Sequence, residues 1–384
     1  MRALGVFSAF LLLFAHAANA GNGDSSKWLF SVSANYGTWD TADLDSDGRQ
    51  TISFAQLAYD TQRWGASVSG AYASTSYKPS FADERFEVNT LTDTDISTYY
   101  NMKAGKLTIR GGLDLRLPSG KSSYSESELG KIITDDLSQD LMLINSYGSG
   151  TNVTPNVMLV YKFTKLTMGL GAKYDFRGKY DYSADTADDD LDPGDSLLAA
   201  LNGVYALSKS NFLLFTFTYS HSEKDKSNGE DIFRVGDVYT GEFRILKQFG
   251  PSLTLLVSAS YKSQEKNELL GENNTLSGEL ANSNNNTVEF YLNTNYRLCK
   301  QVTLNGLVGY KKVGANGYND GDSLYDAGRD KVYVEPGISW YFSNKMYVTG
   351  KVRYSNVNDK KDASSEKDAQ YDVVNVDLSF VRSF

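Results

Sequence analysis

The sequence predicts an all-β fold, a transmembrane up-and-down antiparallel β-barrel of about sixteen strands, with a range of fourteen to eighteen. Three observations predict it: an export signal at the amino terminus, short alternating segments along the rest of the chain, and breaks that alternate between short and long. No later segment approaches the ~20 apolar residues that a transmembrane helix needs. We therefore expect the chain to cross a membrane as strands.

The first twenty residues have the order of parts found in secretory signal peptides. Arg2 supplies a positive charge, residues 4–14 form an apolar run, and Ala18-Asn19-Ala20 is a small-x-small cleavage site. We expect a signal peptide at 1–20 and a barrel domain at 21–384.

The composition also favours a barrel over soluble domains. The chain has 26 Tyr and 33 Gly but only 6 Pro, and its mean hydropathy is low, as expected when half of each strand faces a polar lumen. The net charge of −9 comes without a dominant basic stripe, which argues against nucleic-acid binding. The single cysteine, Cys299, excludes an intrachain disulfide.

Alternating segments of strand length run from Trp28 to the end of the chain, and most are long enough for a tilted crossing of about nine to eleven residues. The predicted strands are 28–39, 50–60, 64–77, 93–104, 107–118, 152–163, 166–181, 195–207, 211–223, 235–248, 253–268, 286–299, 302–313, 331–343, 346–357 and 370–384.

The breaks between these strands fall into two alternating classes. The short class contains turns such as Gly105-Lys106, and the long class contains polar loops. The long loops are 40–49, 78–92, 119–151, 182–194, 224–234, 269–285, 314–330 and 358–369. Short periplasmic turns opposite long extracellular loops are typical of outer-membrane barrels, so we expect both termini on the periplasmic side.

The alternation also predicts which face each residue occupies. In 107–117, Leu113 and its odd-numbered neighbours are apolar, whereas Arg110, Asp114 and Arg116 are charged. A charge on the lipid face near the midplane costs about 2–4 kcal/mol, so we expect the charges to face the lumen.

Taken together, the sorted loops, the aromatic residues near strand ends and the last strand, which ends at Phe384, resemble Gram-negative outer-membrane porins and related channels. The departure is Arg382, where the alternating apolar pattern is broken. The resemblance implies location in the outer membrane, contact with its lipid and with lipopolysaccharide, recognition of the terminal strand by the barrel-assembly machinery, and a homotrimer. The segment Leu115-Arg116-Leu117-Pro118-Ser119-Gly120 also resembles exporters of aromatic-compound degradation pathways.

Charged residues at inward positions form the predicted pore lining, and basic residues outnumber acidic ones. The residues are Arg110, Asp114, Arg116, Lys173, Asp175, Arg177, Glu242, Arg244, Glu289, Arg297, Glu335, Lys351 and Arg353. One interpretation is a water-filled pore with a mild preference for anions, because low-dielectric walls focus a field of one sign. The alternative is that these charges pair across neighbouring strands.

The longest loop, 119–151, contains its own predicted helix. Ser125-Glu126-Ser127-Glu128 is a capping box, and an apolar residue follows at every fourth position from Leu129 to Leu141. In the porins that this chain resembles, a long third loop folds into the channel and constricts it. By that resemblance the loop would place acids opposite the wall arginines, namely Glu126, Glu128, Asp135, Asp136 or Asp140. The alternative is a helix on the outer rim or against a neighbouring protomer.

An acidic segment near the start of the chain resembles a calcium loop. Asp43, Asp45 and Asp47 precede Gly48 in the D-x-D-x-D-G pattern, but Phe54 stands where a bidentate Glu is expected. Ca²⁺ or Mg²⁺ could bind here and at other acidic extracellular loops. The alternative is a set of ordinary turns with solvated acids, and we expect no other cofactor.

The one histidine after the signal peptide, His221, lies at a predicted outward position. Tyr219-Ser220-His221, with Ser227 six residues further on, distantly resembles the histidine–serine motif of outer-membrane phospholipases, which keep these two residues two apart. We expect an interfacial histidine and no enzyme activity.

The sequence therefore favours a porin-like channel for passive diffusion of small hydrophilic solutes. The alternatives are a channel specific for an amphipathic or aromatic compound, a non-conducting surface or structural barrel, and a phospholipase-like hydrolase.

Overall fold

The computed structural model describes residues 27–41, 45–78, 84–125, 128, 137–184, 190–271, 273–361 and 367–384. Its strands in chain order are β1 Lys27–Thr41, β2 Ser46–Asp60, β3 Trp64–Lys78, β4 Phe86–Leu91, β5 Thr94–Ala104, β6 Leu107–Leu117, β7 Asn152–Lys162, β8 Leu166–Arg177, β9 Tyr180–Asp181, β10 Asp190–Asp192, β11 Ser196–Ala206, β12 Asn211–Ser222, β13 Asp225–Ser227, β14 Glu230–Arg234, β15 Val238–Phe249, β16 Leu253–Gln264, β17 Glu268–Leu270, β18 Leu276–Gly278, β19 Thr287–Arg297, β20 Val302–Val313, β21 Arg329–Ser343, β22 Met346–Asp359 and β23 Ala369–Ser383, with one described helix, α1 Ser138–Leu141.

Seventeen of these strands form one sheet that closes on itself, because β1 pairs with both β2 and β23. β4 pairs with the loop end of β3 and β5 with its turn end, so these two short strands occupy one place in the wall. The result is a closed antiparallel barrel with sixteen strand positions, and it confirms the predicted fold class. The strand β4 was not predicted, because its residues lie within the predicted loop 78–92.

Closure depends on the chain ends meeting in register. Leu29 pairs with Ser383, and the pairing continues without a shift to Asp40 and Asp372. The backbone N–H of Phe384 then donates to the carbonyl oxygen of Trp28 at 2.9 Å. Apart from β4, which pairs with β3 only, each described strand of the wall therefore has hydrogen-bonded neighbours on both sides, which is the condition for strands in a membrane.

The two faces of the wall differ in chemistry, as the period of two requires. On β6, Leu113 and Leu117 are exposed on the outer face, whereas Arg110 on the inner face is 3% exposed. On β20, Val308 faces outward and Lys311 faces inward to a carboxylate. The exposed large apolar side chains thus form an outer band around the barrel.

Aromatic side chains collect at the turn end of this band. The ring of Tyr59 lies 4.9 Å from the rings of both Trp28 and Trp64, which come from three neighbouring strands. Trp and Tyr prefer the level of lipid headgroups, so this cluster marks one membrane interface.

A second, six-stranded sheet stands at the loop end, in the order β18-β17-β14-β13-β10-β9. Most of these residues lie in predicted polar loops, and the prediction is wrong for them. Each of these six strands has only two to five residues, so the sequence cannot show the alternation of apolar and polar residues that indicates a strand. They pair because the hairpins of the barrel wall, from which they extend, hold their backbones side by side.

Within the described ranges, no helix has the length and apolar character needed to cross a membrane.

Candidate functional site: the lumen and its inward loop

The chain leaves the wall after β6 and enters the lumen before it returns as β7. Asp93 holds both ends of this excursion: its carboxylate accepts from the backbone N–H of Gly120 at 3.0 Å and of Ser149 at 2.8 Å. At Gly120 a Cβ would lie 2.1 Å from the carbonyl oxygen of Tyr147. Only glycine fits this crossing, because the obstructing atom belongs to the backbone.

Gln50, on the inner face of β2, anchors the returning half of the loop. Its Oε1 accepts from the backbone N–H groups of Leu143 and Ile144, both at 3.1 Å. Its Nε2 donates to the carbonyl oxygen of Ile144 at 2.7 Å and to Thr75 at 2.8 Å. Because Gln50 is 1% exposed, these bonds satisfy polar groups that water cannot reach.

Asp140, in α1, anchors the far end of the loop. Its carboxylate accepts from Lys311 Nζ at 2.9 Å and from Arg329 Nε at 2.8 Å. Lys331 Nζ donates to the backbone carbonyl oxygen of Asp140 at 2.8 Å and lies 3.4 Å from its carboxylate. Three cations from β20 and β21 therefore converge on one carboxylate.

Apolar contacts accompany these polar ones. Leu141 and Met142 pack into a buried cluster with Trp39, which is 0% exposed and comes from the inner face of β1. Val357 of β22 and Val373 of β23 complete the contact from the wall. An inward surface of this kind is unsuited to water, and the loop covers it.

The wall residues that contact the loop show its route inside the barrel. From its entry at β6, the wall strands met in order are β5, β3, β2, β1, β23, β22 and β21, so the Asp140 contact lies seven strands away. In a ring of sixteen positions that is almost the opposite side. Because the loop contacts the strands in between as well, it follows the inner face of the wall from β3 to β20 near the loop end of the barrel.

Water also reaches charged side chains of the inner face. Asp95 and Arg116, which form an ion pair at 2.9 Å, are 47% and 38% exposed, and Lys351 is 40% exposed. These side chains point into the barrel, so the exposure indicates an open, polar lumen.

Burial opposes ionisation of Asp140, yet the charges of Lys311, Lys331 and Arg329 outweigh it and hold the pKa of Asp140 well below its ordinary value. A carboxyl group whose pKa is lowered on folding stabilises the folded state above its ordinary pKa and loses that contribution only as the pH falls towards the lowered value.

We therefore expect single-channel conductance to stay constant between pH 7 and about pH 4, where an ordinary aspartate begins to protonate. Conductance measured in planar bilayers across this range tests the expectation. The Asp140→Asn variant, which cannot titrate at this position, is the control. A rise in conductance at pH 5 to 6 that the variant does not show would contradict it.

The other acids predicted for the loop have separate outcomes. Glu128 accepts from Lys121 Nζ at 2.5 Å and from the backbone N–H of Ser125 at 2.9 Å, so its partners lie within its own loop. Glu126, Asp135 and Asp136 lie outside the described residues. Of the predicted helix, the structure describes α1 only.

The predicted lining residues lie on inward-facing positions, and many have a charged or polar partner there. Arg244 pairs with Glu242, and Arg353 with Glu335 at 2.6 Å. The remaining contacts are Arg116 to Asp95, Lys351 to Glu335 at 3.3 Å, Arg177 to the carbonyl oxygen of Gly194 at 2.8 Å, Arg110 to Asn101 at 2.7 Å, Asn156 to Asp114 at 3.1 Å, Thr154 to Asp175 at 2.7 Å and Tyr333 to Glu289 at 2.8 Å. Lys173 interacts electrostatically with Asp175 and Asp114, and Arg297 is exposed at the turn end.

The proposed calcium ligands do not all fall within the described residues. Asp45 pairs with Lys78 at 2.7 Å and Asp47 with Arg85 at 2.5 Å, while Asp43 lies outside the described ranges. In the part of the chain that the structure describes, no three His, Cys, Asp or Glu side chains are grouped as a metal site would require.

His221 lies at the outer, loop end of β12. Its Nδ1 is 2.8 Å from Asp237, which also accepts from the Tyr219 hydroxyl at 2.6 Å. Ser227 is on β13, in the second sheet, where it pairs with Leu191 and Glu230. The histidine and this serine therefore belong to different sheets.

Several of the groups that hold the loop have no role predicted from the sequence. Gln50 could have been noticed as a polar residue at an inward position, but its loop partners lie more than ninety positions away. Arg329 was placed in a loop, just before the predicted strand 331–343. Lys311 occupies a predicted inward position, but no local pattern marks it or Lys331 as a partner of Asp140.

No known family model matches this chain, and no curated protein matches it either. Several solved structures have a similar fold. A bacterial polysaccharide outer membrane secretin has 8% identity and a TM-score of 0.49, with 95% of this chain and 100% of that chain covered. A deletion mutant of the TodX monoaromatic hydrocarbon channel has 11% identity and a TM-score of 0.48, with coverage of 94% and 91%. OpdO of Pseudomonas aeruginosa has 10% identity and a TM-score of 0.47, with coverage of 94% and 98%. At this level the similarity carries no information about what the chain transports.

Proposed function

We propose that the protein is an outer-membrane channel for passive diffusion of small hydrophilic solutes, with a mild preference for anions. The observation that carries the proposal is the loop held inside the barrel, where Gln50 of β2 and the cations around Asp140 on β20 and β21 bind it to the inner face. A loop held in this way narrows a pore, whereas a non-conducting surface protein has no need of one.

The polar lumen supports the same proposal. Charged side chains such as Asp95, Arg116 and Lys351 are partly exposed inside the barrel. A hydrophilic solute can replace hydrogen bonds to water with hydrogen bonds to such side chains, whereas a purely apolar compound cannot. We therefore favour hydrophilic solutes over the aromatic compounds considered from the sequence.

The preference for anions comes from the narrow part of the lumen. There Lys311, Arg329 and Lys331 outnumber the Asp140 carboxylate that they share. Elsewhere on the wall, cations such as Arg244 and Arg116 each face an acid. Low-dielectric walls focus a field of one sign and raise the local concentration of anions.

The test is the reversal potential of the purified protein in a planar bilayer with a KCl gradient. We expect a modest anion preference in the unmodified channel. Lys311→Gln should shift the reversal potential towards cations, since Arg329 still holds Asp140 in place. Lys224→Gln, which removes a cation that pairs with Asp231 of the second sheet, is the matched control and should change nothing. A clear cation preference in the unmodified channel would contradict the proposed selectivity, and absence of conductance would contradict the proposed function.

A further inference from the structure

Positive charge is concentrated at the turn end of the barrel. We define the turn rim as the short turns and the last three strand residues on either side of each, together with the ends of β1 and β23. Among the described residues the rim has a single acid, Asp60. Its cations are Lys27, Arg63, Lys103, Lys106, Lys162, Lys165, Lys209, Lys247, Arg297, Lys300, Lys345 and Arg382.

The acid at the rim does not offset these cations on the outer surface. Asp60 lies on the inner face of β2, and its carboxylate accepts a hydrogen bond from the hydroxyl of Tyr99. Two of the rim cations lie over aromatic rings. Lys247 Nζ is 4.5 Å from the ring centre of Phe249, and the Arg382 guanidinium is 4.5 Å from that of Phe384. Lys103, Lys162 and Arg297 also occupy inward positions, whereas Lys247 and Arg382 share the outer face with the aromatic rings.

One part of this rim adjoins a groove on the outer face of β3, β5 and β6. Its floor is made of small residues, Ala66, Thr98 and Gly111, and its volume is about 360 Å³. At Gly111 an added Cβ would meet no atom within 4 Å, so the space beyond it is open. Trp64 and Tyr100 flank the floor, and both are about half exposed.

The groove is on the outer face because the inner face is filled at the same level. Over Gly65 a Cβ would meet the ring of Tyr99, and over Gly112 it would meet the side chain of Asn156. The open space therefore lies in the apolar outer band, where hydrocarbon is the solvent.

Two cations of the turn rim lie next to the three strands that form the groove. Arg63 directly precedes Trp64, and Lys106 is in the turn that joins β5 to β6. A molecule that fits both would have a hydrocarbon chain below and a negative charge at the rim. The phosphate of a phospholipid has this charge, and basic residues at a membrane surface attract anionic lipids.

We propose that the groove on β3, β5 and β6 binds one acyl chain of an anionic phospholipid, with its headgroup phosphate held by Arg63 and Lys106. The lipid belongs to the leaflet that the turn rim faces. A bound lipid of this kind would keep the turn end at a fixed depth in the membrane.

The experiment is native mass spectrometry of the detergent-purified protein with added phosphatidylglycerol or phosphatidylcholine of the same chain length. We expect one phosphatidylglycerol to be retained at energies that remove phosphatidylcholine. The double variant Arg63→Gln with Lys106→Gln should weaken retention about thirtyfold, since each basic residue near the surface contributes about 1 kcal/mol. Gly111→Leu should weaken it by filling the groove without changing any charge.

The matched control is Lys209→Gln with Lys247→Gln, which removes two rim cations away from the groove and should leave the retained lipid in place. A heat-dependent shift on a denaturing gel shows that each variant is folded. Equal retention of the two lipids would overturn the proposal, as would equal losses in the control and in the Arg63 and Lys106 variant. A dimer or trimer that Gly111→Leu dissociates would show that a second copy of the chain occupies the groove, and would also overturn it.

Discussion

Replacing Asp140 with Asn should release the inward loop from β20 and β21 and raise single-channel conductance. Asn has the same size but no charge, so Lys311, Arg329 and Lys331 would repel one another without a shared carboxylate. Removing one partner of a buried ion pair typically costs about 3–5 kcal/mol, which is enough to populate undocked states of the loop. Conductance steps in planar bilayers measure the effect, and we also expect a stronger anion preference.

The matched control for this experiment is Asp45→Asn. Asp45 also pairs with a lysine, Lys78, but its side chain is 89% exposed at the loop end. Exposed ion pairs contribute little to stability, so conductance should stay at the level of the unmodified protein. Unchanged conductance in the Asp140→Asn variant would show that the loop keeps its position without this contact, and that the contact does not set the width of the pore.

Replacing Leu292 with Arg should impair folding into a bilayer, whereas replacing its neighbour Asn293 with Arg should not. Leu292 is at the middle of β19 and pairs with Val257 and Val308, which form part of the outer apolar band. An arginine at the lipid midplane costs about 2–4 kcal/mol. Refolding into lipid vesicles, followed by the heat-dependent shift on a denaturing gel, measures the loss.

Asn293→Arg serves as the control because it introduces the same charge one residue away on the opposite face. Its side chain would enter the polar lumen, so the barrel should fold normally and the reversal potential should move towards anions. Equal refolding yields for the two variants would refute the assignment of faces on this strand.

The strands were predictable because the wall of a barrel imposes an alternating pattern on each strand segment of the sequence. Hydrocarbon outside and water inside impose a period of two on every crossing, so the span 302–313 was predicted with the bounds that the structure gives to β20. Charged residues such as Arg110 and Asp114 could be assigned to the inner face by the same rule. Turn and loop lengths then ordered the strands around the ring.

The second sheet was not predictable in this way. β9 has two residues and β10 three, and neither alternates long enough to show a period. These segments become strands because the hairpins beneath them bring their backbones together. β4 was not predicted either; it pairs along one edge with β3, and Thr92 and Asp93, which are in neither strand, separate it from β5.

The sequence by itself determined the barrel, its approximate strand number and the face of each residue, because these follow from the solvent that each side chain meets. Only the tertiary structure decided where the long loop lies. Its position depends on Gln50, Asp140 and Arg329, whose partners are 93 to 189 residues apart. Closure of the ring brings such residues together, and no local pattern in the sequence encodes that distance.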